Sequence, residues 1–175
     1  KIDEKTLQMG SRPVYGTYVD VVIEHLGGKS FRDTAEEELI KRFLQTVRPS
    51  CWSKVKPELK KDKIIFPDIV TWDSIHYQYY KEYDFEYDSD RKVSQFCEGI
   101  AFGADDVLCG SIEMIMGLDT RNVDISRWYD LTTTNALNMK FYANGRIDVK
   151  FKDSATAESC FKRLRLNEIK LRDEN

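Results

Sequence analysis

Residues 137–151 constrain the fold of this chain more than any other stretch. Leu137, Met139 and Phe141 alternate with polar residues before a turn signal, and Ile147, Val149 and Phe151 do so after it. This is the period of two expected of strands with one buried and one wet face. The parity also selects the turn. A two-residue Asn144-Gly145 loop sets Phe141 opposite Asp148, whereas a three-residue Ala143-Asn144-Gly145 loop pairs Phe141 with Ile147, Met139 with Val149 and Leu137 with Phe151. Gly145 is therefore expected in a left-handed conformation, closing a bulged hairpin. The outer face then carries Lys140 opposite Asp148, Asn138 opposite Lys150, and Tyr142 beside Arg146. Asp153 or Ser154 stands where it can cap a last helix whose Ala157, Cys160, Phe161 and Leu164 face inward.

Upstream the signals are helical. After a polar leader over residues 1–12, Pro13 fits a first helical turn, and Val19, Val22, Ile23 and Leu26 recur at helical spacing before the Gly27-Gly28 stop. Thr34 followed by Glu37 reads as a capping box, and Leu39, Ile40, Phe43, Leu44 and Val47 form one apolar stripe ended by Pro49. Residues 54–63 read as a solvated, partly helical connector, and 64–68 as a short strand. Trp72, Ile75, His76, Tyr79, Tyr80 and Tyr83 repeat at spacings of three and four, while residues 83–87 alternate like a strand. Val93, Phe96, Cys97, Ile100 and Ala101 predict a helix ended by Gly103. A second, opened by Asp105 or Asp106, carries Val107, Leu108, Ile112, Ile115 and Met116 up to Gly117. Residues 119–134 read as a loop with a short turn around Ile125 and Trp128. The expectation is one α+β domain over 1–175, mainly helical over 13–130, with a small antiparallel hairpin and its capping helix over 131–175.

The 175 residues are 41% hydrophobic, enough to bury a core. The longest apolar runs, such as residues 18–23 interrupted by Asp20, fall well short of the roughly 20 residues of a membrane helix. No signal peptide is evident, and a chain that begins at Lys1 reads as a portion of something longer. Cys51, Cys97, Cys109 and Cys160 have no CxxC spacing and sit among apolar residues, so they are expected to be buried thiols in a reducing cytoplasm rather than zinc ligands or disulfides. The net charge of -3 is unevenly spread: residues 1–67 hold 13 basic and 10 acidic side chains, 68–130 hold 5 and 14, and 131–175 hold 9 and 6. Such a chain is no uniformly basic nucleic-acid binder, yet it permits a local basic surface beside an acidic one.

Few patterns point to catalysis. There is no GxSxG, P-loop or GxGxxG, and Gly27-Gly28-Lys29-Ser30 lacks the earlier glycine of a phosphate loop. His25 and His76 are far apart in sequence and read as structural. Asp68 with Asp148 and Lys150 is a weak echo of magnesium-dependent PD-(D/E)xK nucleases, against which Asp148 already has Lys140 as a cross-strand partner. No cofactor or metal is called for, and the chain reads as non-catalytic. Two surfaces remain. Lys140, Tyr142, Arg146, Lys150 and Lys152, with Arg163 on the last helix, fit contact with a DNA or RNA backbone. The acidic aromatic stretch with Tyr79, Tyr83, Phe85 and Tyr87 fits a protein partner. Nothing fixes an oligomeric state.

Residues 141–152, Phe-Tyr-Ala-Asn-Gly-Arg-Ile-Asp-Val-Lys-Phe-Lys, also resemble the closing motif of an uncharacterised bacterial domain family. That motif runs aromatic-x-x-Asn-Gly-x-hydrophobic-His-hydrophobic-Lys-Phe, and the family occurs in phage, plasmid and conjugative-element proteins, sometimes fused to or encoded beside DNA methyltransferases or helicases. Asp148 stands where the motif has histidine. The resemblance implies a mobile-element setting and DNA-related work. The expected function is a nucleic-acid-associated accessory domain, with inhibition of a host factor through the tyrosine-rich middle as the alternative and a metal-dependent nuclease third.

Overall fold

Strict alternation delivers the hairpin, and the hairpin recruits further strands. In a computed structural model, residues 30–171 are described, together with Gly27; the expected helix from Pro13, the polar leader and His25 lie outside them. The described helices are α1 (Phe31–Val47), α2 (Ser74–Tyr80), α3 (Ser89–Asp105) and α4 (Ser154–Arg163). The strands are β1 (Glu58–Lys60), β2 (Lys63–Phe66), β3 (Tyr129–Asp130), β4 (Ala136–Phe141) and β5 (Ile147–Phe151), and they form one antiparallel sheet in the order β1-β2-β5-β4-β3. The class is α+β. The chain divides after Glu38 into two units. The second, from Leu39 onward, holds the whole sheet together with α2, α3, α4 and the later turns of α1.

The turn is the one that parity demands. Phe141 pairs with Ile147 and Met139 with Val149, Gly145 has φ +82, and the Tyr142 N–H donates to the Arg146 carbonyl across the three-residue loop. Only glycine fits there, because a Cβ on Gly145 would strike the Val70 carbonyl. Farther along, the register slips. A bulge between Ala136 and Asn138 sets Ala136, not Leu137, opposite Phe151, and turns Leu137 outward.

The connector over 54–63 is not helical. Glu58–Lys60 folds back on Lys63–Phe66 through a two-residue turn with Lys61 at φ 53, and β2 then pairs along β5. Its alternate residues Ile64 and Phe66 join Ile147, Val149, Phe151, Met139 and Phe141 in the core. The helices cover this face: α4 lies against β1, β2 and β5 through buried Ala157, Cys160 and Leu164, and α3 lies against β4. Asp153 caps α4 by accepting from the Thr156 N–H at 2.7 Å, as expected.

Glycine misleads along α3. The helix does not stop at Gly103 but runs to Asp105, closed by left-handed Asp106. Gly99 and Gly103 lie one turn apart and serve close packing: a Cβ on the first would enter the Phe43 ring of α1, and one on the second would meet Cys160 and Leu164 of α4. The Phe43 ring so admitted packs against Phe66 and Phe96, with centroids 6.0 and 5.7 Å away.

The helix expected after Asp106 is absent. Only a 3-10 turn, Ile112–Met114, forms, with Val107 and Met116 exposed and Ile115 bridged to Leu131. The aromatic stripe from Trp72 to Tyr83 is helical only over α2, between the cap at Asp73 and left-handed Lys81. Beyond it the alternation prevails: Phe85 bridges Trp72 and packs 5.8 Å from Phe141. Of the cysteines, Cys97 and Cys160 are buried as expected, but Cys51 and Cys109 are exposed. No helix among the described residues is long and apolar enough to cross a membrane.

Candidate functional site

Strand parity builds the open side of the sheet. With the apolar positions turned to the helices, the alternate side chains face away. The register aligns them in rows. Lys60, Lys63, Lys150 and Asn138 are successive neighbours on β1, β2, β5 and β4, with Asp130 of β3 beyond. The next row holds Glu58, Ile65, Asp148 and Lys140. Arg146 and Tyr142 complete the face at the turn, and Lys152 is exposed just past the end of β5.

Lysines directly side by side on three adjacent strands repel one another, and such pairs lower sheet stability. At about 4.8 Å per strand the three backbone positions span roughly 10 Å. Two of the lysines have acidic neighbours: Lys60 Nζ lies 3.5 Å from Glu58 Oε2, and Lys63 Nζ lies 3.2 Å from Asp148 Oδ2. Lys150 is exposed and makes no ion pair among the described residues.

Asp148 is the hub of the face. Though it points away from the core, it is 0% exposed, because the side chains around it close over the carboxylate. Arg146 donates from Nε to Oδ1 at 2.6 Å and from Nη2 to Oδ2 at 2.7 Å, and Lys63 Nζ and the Tyr142 hydroxyl each donate to Oδ2 at 3.2 Å. Burial pushes the Asp148 carboxyl up, but the hydrogen bonds and charge of Arg146, then of Lys63, outweigh it and hold the group below the usual carboxylate range. The same bonds raise the Arg146 guanidinium, and burial with the nearby Asp148 charge raises the Tyr142 phenol. The Arg146 guanidinium stacks 4.4 Å from the centroid of the Tyr142 ring. Lys140 is Asp148's neighbour in register but not its ion partner; its ammonium sits 5.2 Å from that same ring.

Lys140, Tyr142, Arg146 and Lys150 are thus brought together. Arg163 is not. It lies on the helix side of the sheet, where Nη1 donates to the carbonyls of Phe102 at 3.2 Å and Gly103 at 3.4 Å and closes the end of α3. Lys60 and Lys63 belong to the face although their segment reads as connector. Hydropathy does not mark them, because Ile64, Ile65 and Phe66 are consecutive apolar residues; only the burial of Ile64 and Phe66 in the folded strand sets Lys63 and Ile65 outward.

No known protein family, curated protein or solved structure matches this chain. Asp68 is an exposed turn residue at φ 55, whereas both oxygens of Asp148 are taken by cationic donors. No group of three or more His, Cys, Asp or Glu among the described residues is placed to hold a metal. His76 stands between the carboxylates of Glu82 and Asp84, at 3.4 and 3.7 Å. In the tyrosine-rich stretch Tyr79 and Tyr87 are exposed, but Phe85 is core and cannot meet a partner. Tyr83 is half-buried, its ring 5.2 Å from Trp72, and the hydrogen bond with Tyr77 raises its phenol.

Proposed function

We propose that the open face of the sheet binds the phosphate backbone of nucleic acid, as a non-catalytic accessory surface in the cytoplasmic setting of a bacterial mobile element or phage. The observation that carries this reading is the row Lys60, Lys63 and Lys150. Such a row repels itself in the free protein, and a line of phosphates relieves that repulsion. Five cations, with Lys140 and Arg146, stand against the carboxylates of Glu58, Asp130 and Asp148 on this face. The likeness of residues 141–152 to the mobile-element motif supports the setting.

Fluorescence anisotropy with labelled DNA and RNA across a salt series tests the reading. Affinity at low salt is expected near the micromolar range and should fall steeply with salt. Lys60→Glu/Lys150→Glu and Lys140→Glu/Lys150→Glu should abolish it. Undiminished binding in both double variants would sink the assignment to this face.

A second reading rests on α2, whose seven residues bury none of their side chains. Ile75 and Tyr79 are 68% and 75% exposed, and the carboxylates of Asp73, Glu82, Asp84, Glu86 and Asp88 flank the helix in sequence. This chemistry suits a basic protein surface with an apolar centre, as an inhibitor of a host factor would meet. Retention of such a partner should vanish in Ile75→Ser/Tyr79→Ser and survive Lys60→Glu/Lys150→Glu; the reverse pattern would reject it.

A further inference from the structure

A groove of about 440 Å³ opens between the β4–β5 turn and the chain flanking α2, and none of Lys60, Lys63, Lys150, Ile75 or Tyr79 lines it. Three aromatic side chains do. The Trp72 and Tyr83 rings lie 5.2 Å apart, and Tyr77 lies 4.9 Å from Tyr83. Each ring is held. The Trp72 indole N–H donates to the Tyr142 carbonyl at 3.1 Å, a hydrogen bond joins the two phenols, and the Lys81 ammonium lies 5.4 Å from the Tyr77 ring. The turn is fixed as well, its Gly145 carbonyl accepting from the Ile69 and Val70 N–H groups at 2.8 and 3.0 Å. A surface ordered in advance loses little entropy when a ligand packs on it.

The polar groups select the ligand's backbone. The amides of Tyr142, Gly145 and Arg146 are used within the turn, so an added strand finds no ladder there. A helix brings carbonyls that are already bonded internally. The groove instead offers donors beside rings: the Asn144 amide nitrogen, which has no acceptor among the described residues, and the one phenol O–H that the Tyr77–Tyr83 bond leaves over. A polyproline II helix is the complement, because its carbonyls have no internal partner and its pyrrolidine rings pack on aromatic grooves. One turn of it advances about 9 Å, the scale of this set of rings. Asp68 is exposed in the same lining and makes no ion pair among the described residues, so the groove carries a negative charge. We propose that this groove docks a proline-rich segment of another protein in the polyproline II conformation, with a basic residue at its end set against Asp68. The inference goes beyond both readings above and depends on neither.

The test is a nitrogen-15 NMR titration of the full chain with two unlabelled peptides, one of eight prolines with an arginine at each end and one with serines in place of the prolines. The proline peptide should shift the Trp72 indole and Asn144 amide signals, leave the Trp52 and Trp128 indoles in place, and bind at least about fivefold tighter than the serine peptide. Tyr77→Ala, and Ala143→Arg at an exposed turn position in the lining, should each weaken it by about fivefold or more. Asp68→Asn, which keeps a residue tolerant of the left-handed backbone at φ 55, should weaken it by about threefold and flatten its salt dependence. Equal affinity for the two peptides would overturn proline recognition and reduce the contact to charge. No binding of the proline peptide up to about 1 mM, or binding unaltered in either Tyr77→Ala or Ala143→Arg, would overturn the site. The spectrum of each variant separates a lost contact from a lost fold.

Discussion

Asp148→Asn keeps the shape of the side chain that organises the open face and removes its charge. The native carboxylate accepts from Arg146 twice, from Lys63 and from Tyr142. The amide retains one accepting oxygen and turns an N–H donor toward a cation. Removing one member of a buried ion pair costs about 3–5 kcal/mol when the orphaned charge stays dry. Here the Arg146 and Lys63 side chains are 31% and 32% exposed and can take up water, so the expected loss is smaller, about 2–3 kcal/mol. For a chain of this size that lowers Tm by roughly 4–12 °C. Equilibrium urea unfolding at neutral pH measures it. Because folding depresses the Asp148 carboxyl, its stabilisation is complete above the unfolded value, near pH 3.9, and disappears as pH falls through the lower folded value. The gap between wild type and Asp148→Asn should therefore close on acidification. Affinity for nucleic acid should move the other way and tighten, since a negative charge leaves the face and two cations are freed. A loss below about 0.5 kcal/mol, the scatter of ordinary surface changes, or a gap that ignores acid pH, would refute this account of the network.

Gly99→Ala gains intrinsic helix propensity but drives a methyl into the Phe43 ring, and should lower stability by about 1–3 kcal/mol in urea unfolding; a stabilised variant would show that the ring can yield. Asp153→Ala removes the cap of α4. Because Thr156 holds the Asp153 carboxyl low, the urea midpoint should fall at neutral pH and converge with wild type once pH drops through that depressed value. Thiol labelling of the native chain should modify Cys51 and Cys109 promptly. Cys160, which burial pushes up to about 12, and Cys97, pushed up by the same cause, should react only on unfolding.

The parts of the fold legible in the sequence are those written in short-range pattern. The turn, Gly145 and the pairs Phe141–Ile147 and Met139–Val149 follow from parity alone, and the cap at Asp153 from its place before the last helix. Leu137 breaks the pattern because a bulge adds a residue on one strand without any mark in its hydropathy. Gly103 reads as a stop when it is a gap left for Cys160 and Leu164, a need set by another helix far along the chain. Around α1 the cap lies one turn earlier than Thr34 and Glu37 indicate, in the reciprocal bonds of Ser30 and Asp33. For the site, adjacency in the hairpin is enough to put Lys140, Tyr142, Arg146 and Lys150 together. It cannot supply Lys63, which reaches Asp148 from 85 positions upstream and turns an outward charge into a buried one. Phe85 and Arg163 mislead for the same reason: residue type is visible in a sequence, but what packs over it is not.

The strand order has a consequence for how the chain comes off the ribosome. β5, which joins β2 to β4, is the last strand to be made. Until Ile147–Phe151 has left the exit tunnel, the β1–β2 ribbon has an open edge, and β3 and β4 form a second fragment not yet joined to it. Isolated two-strand ribbons are marginal in water, and β2 must wait for a partner 85 positions away. Nascent chains stalled before β5 should therefore be captured by chaperones and cut by proteases, while chains stalled beyond α4 should be protected.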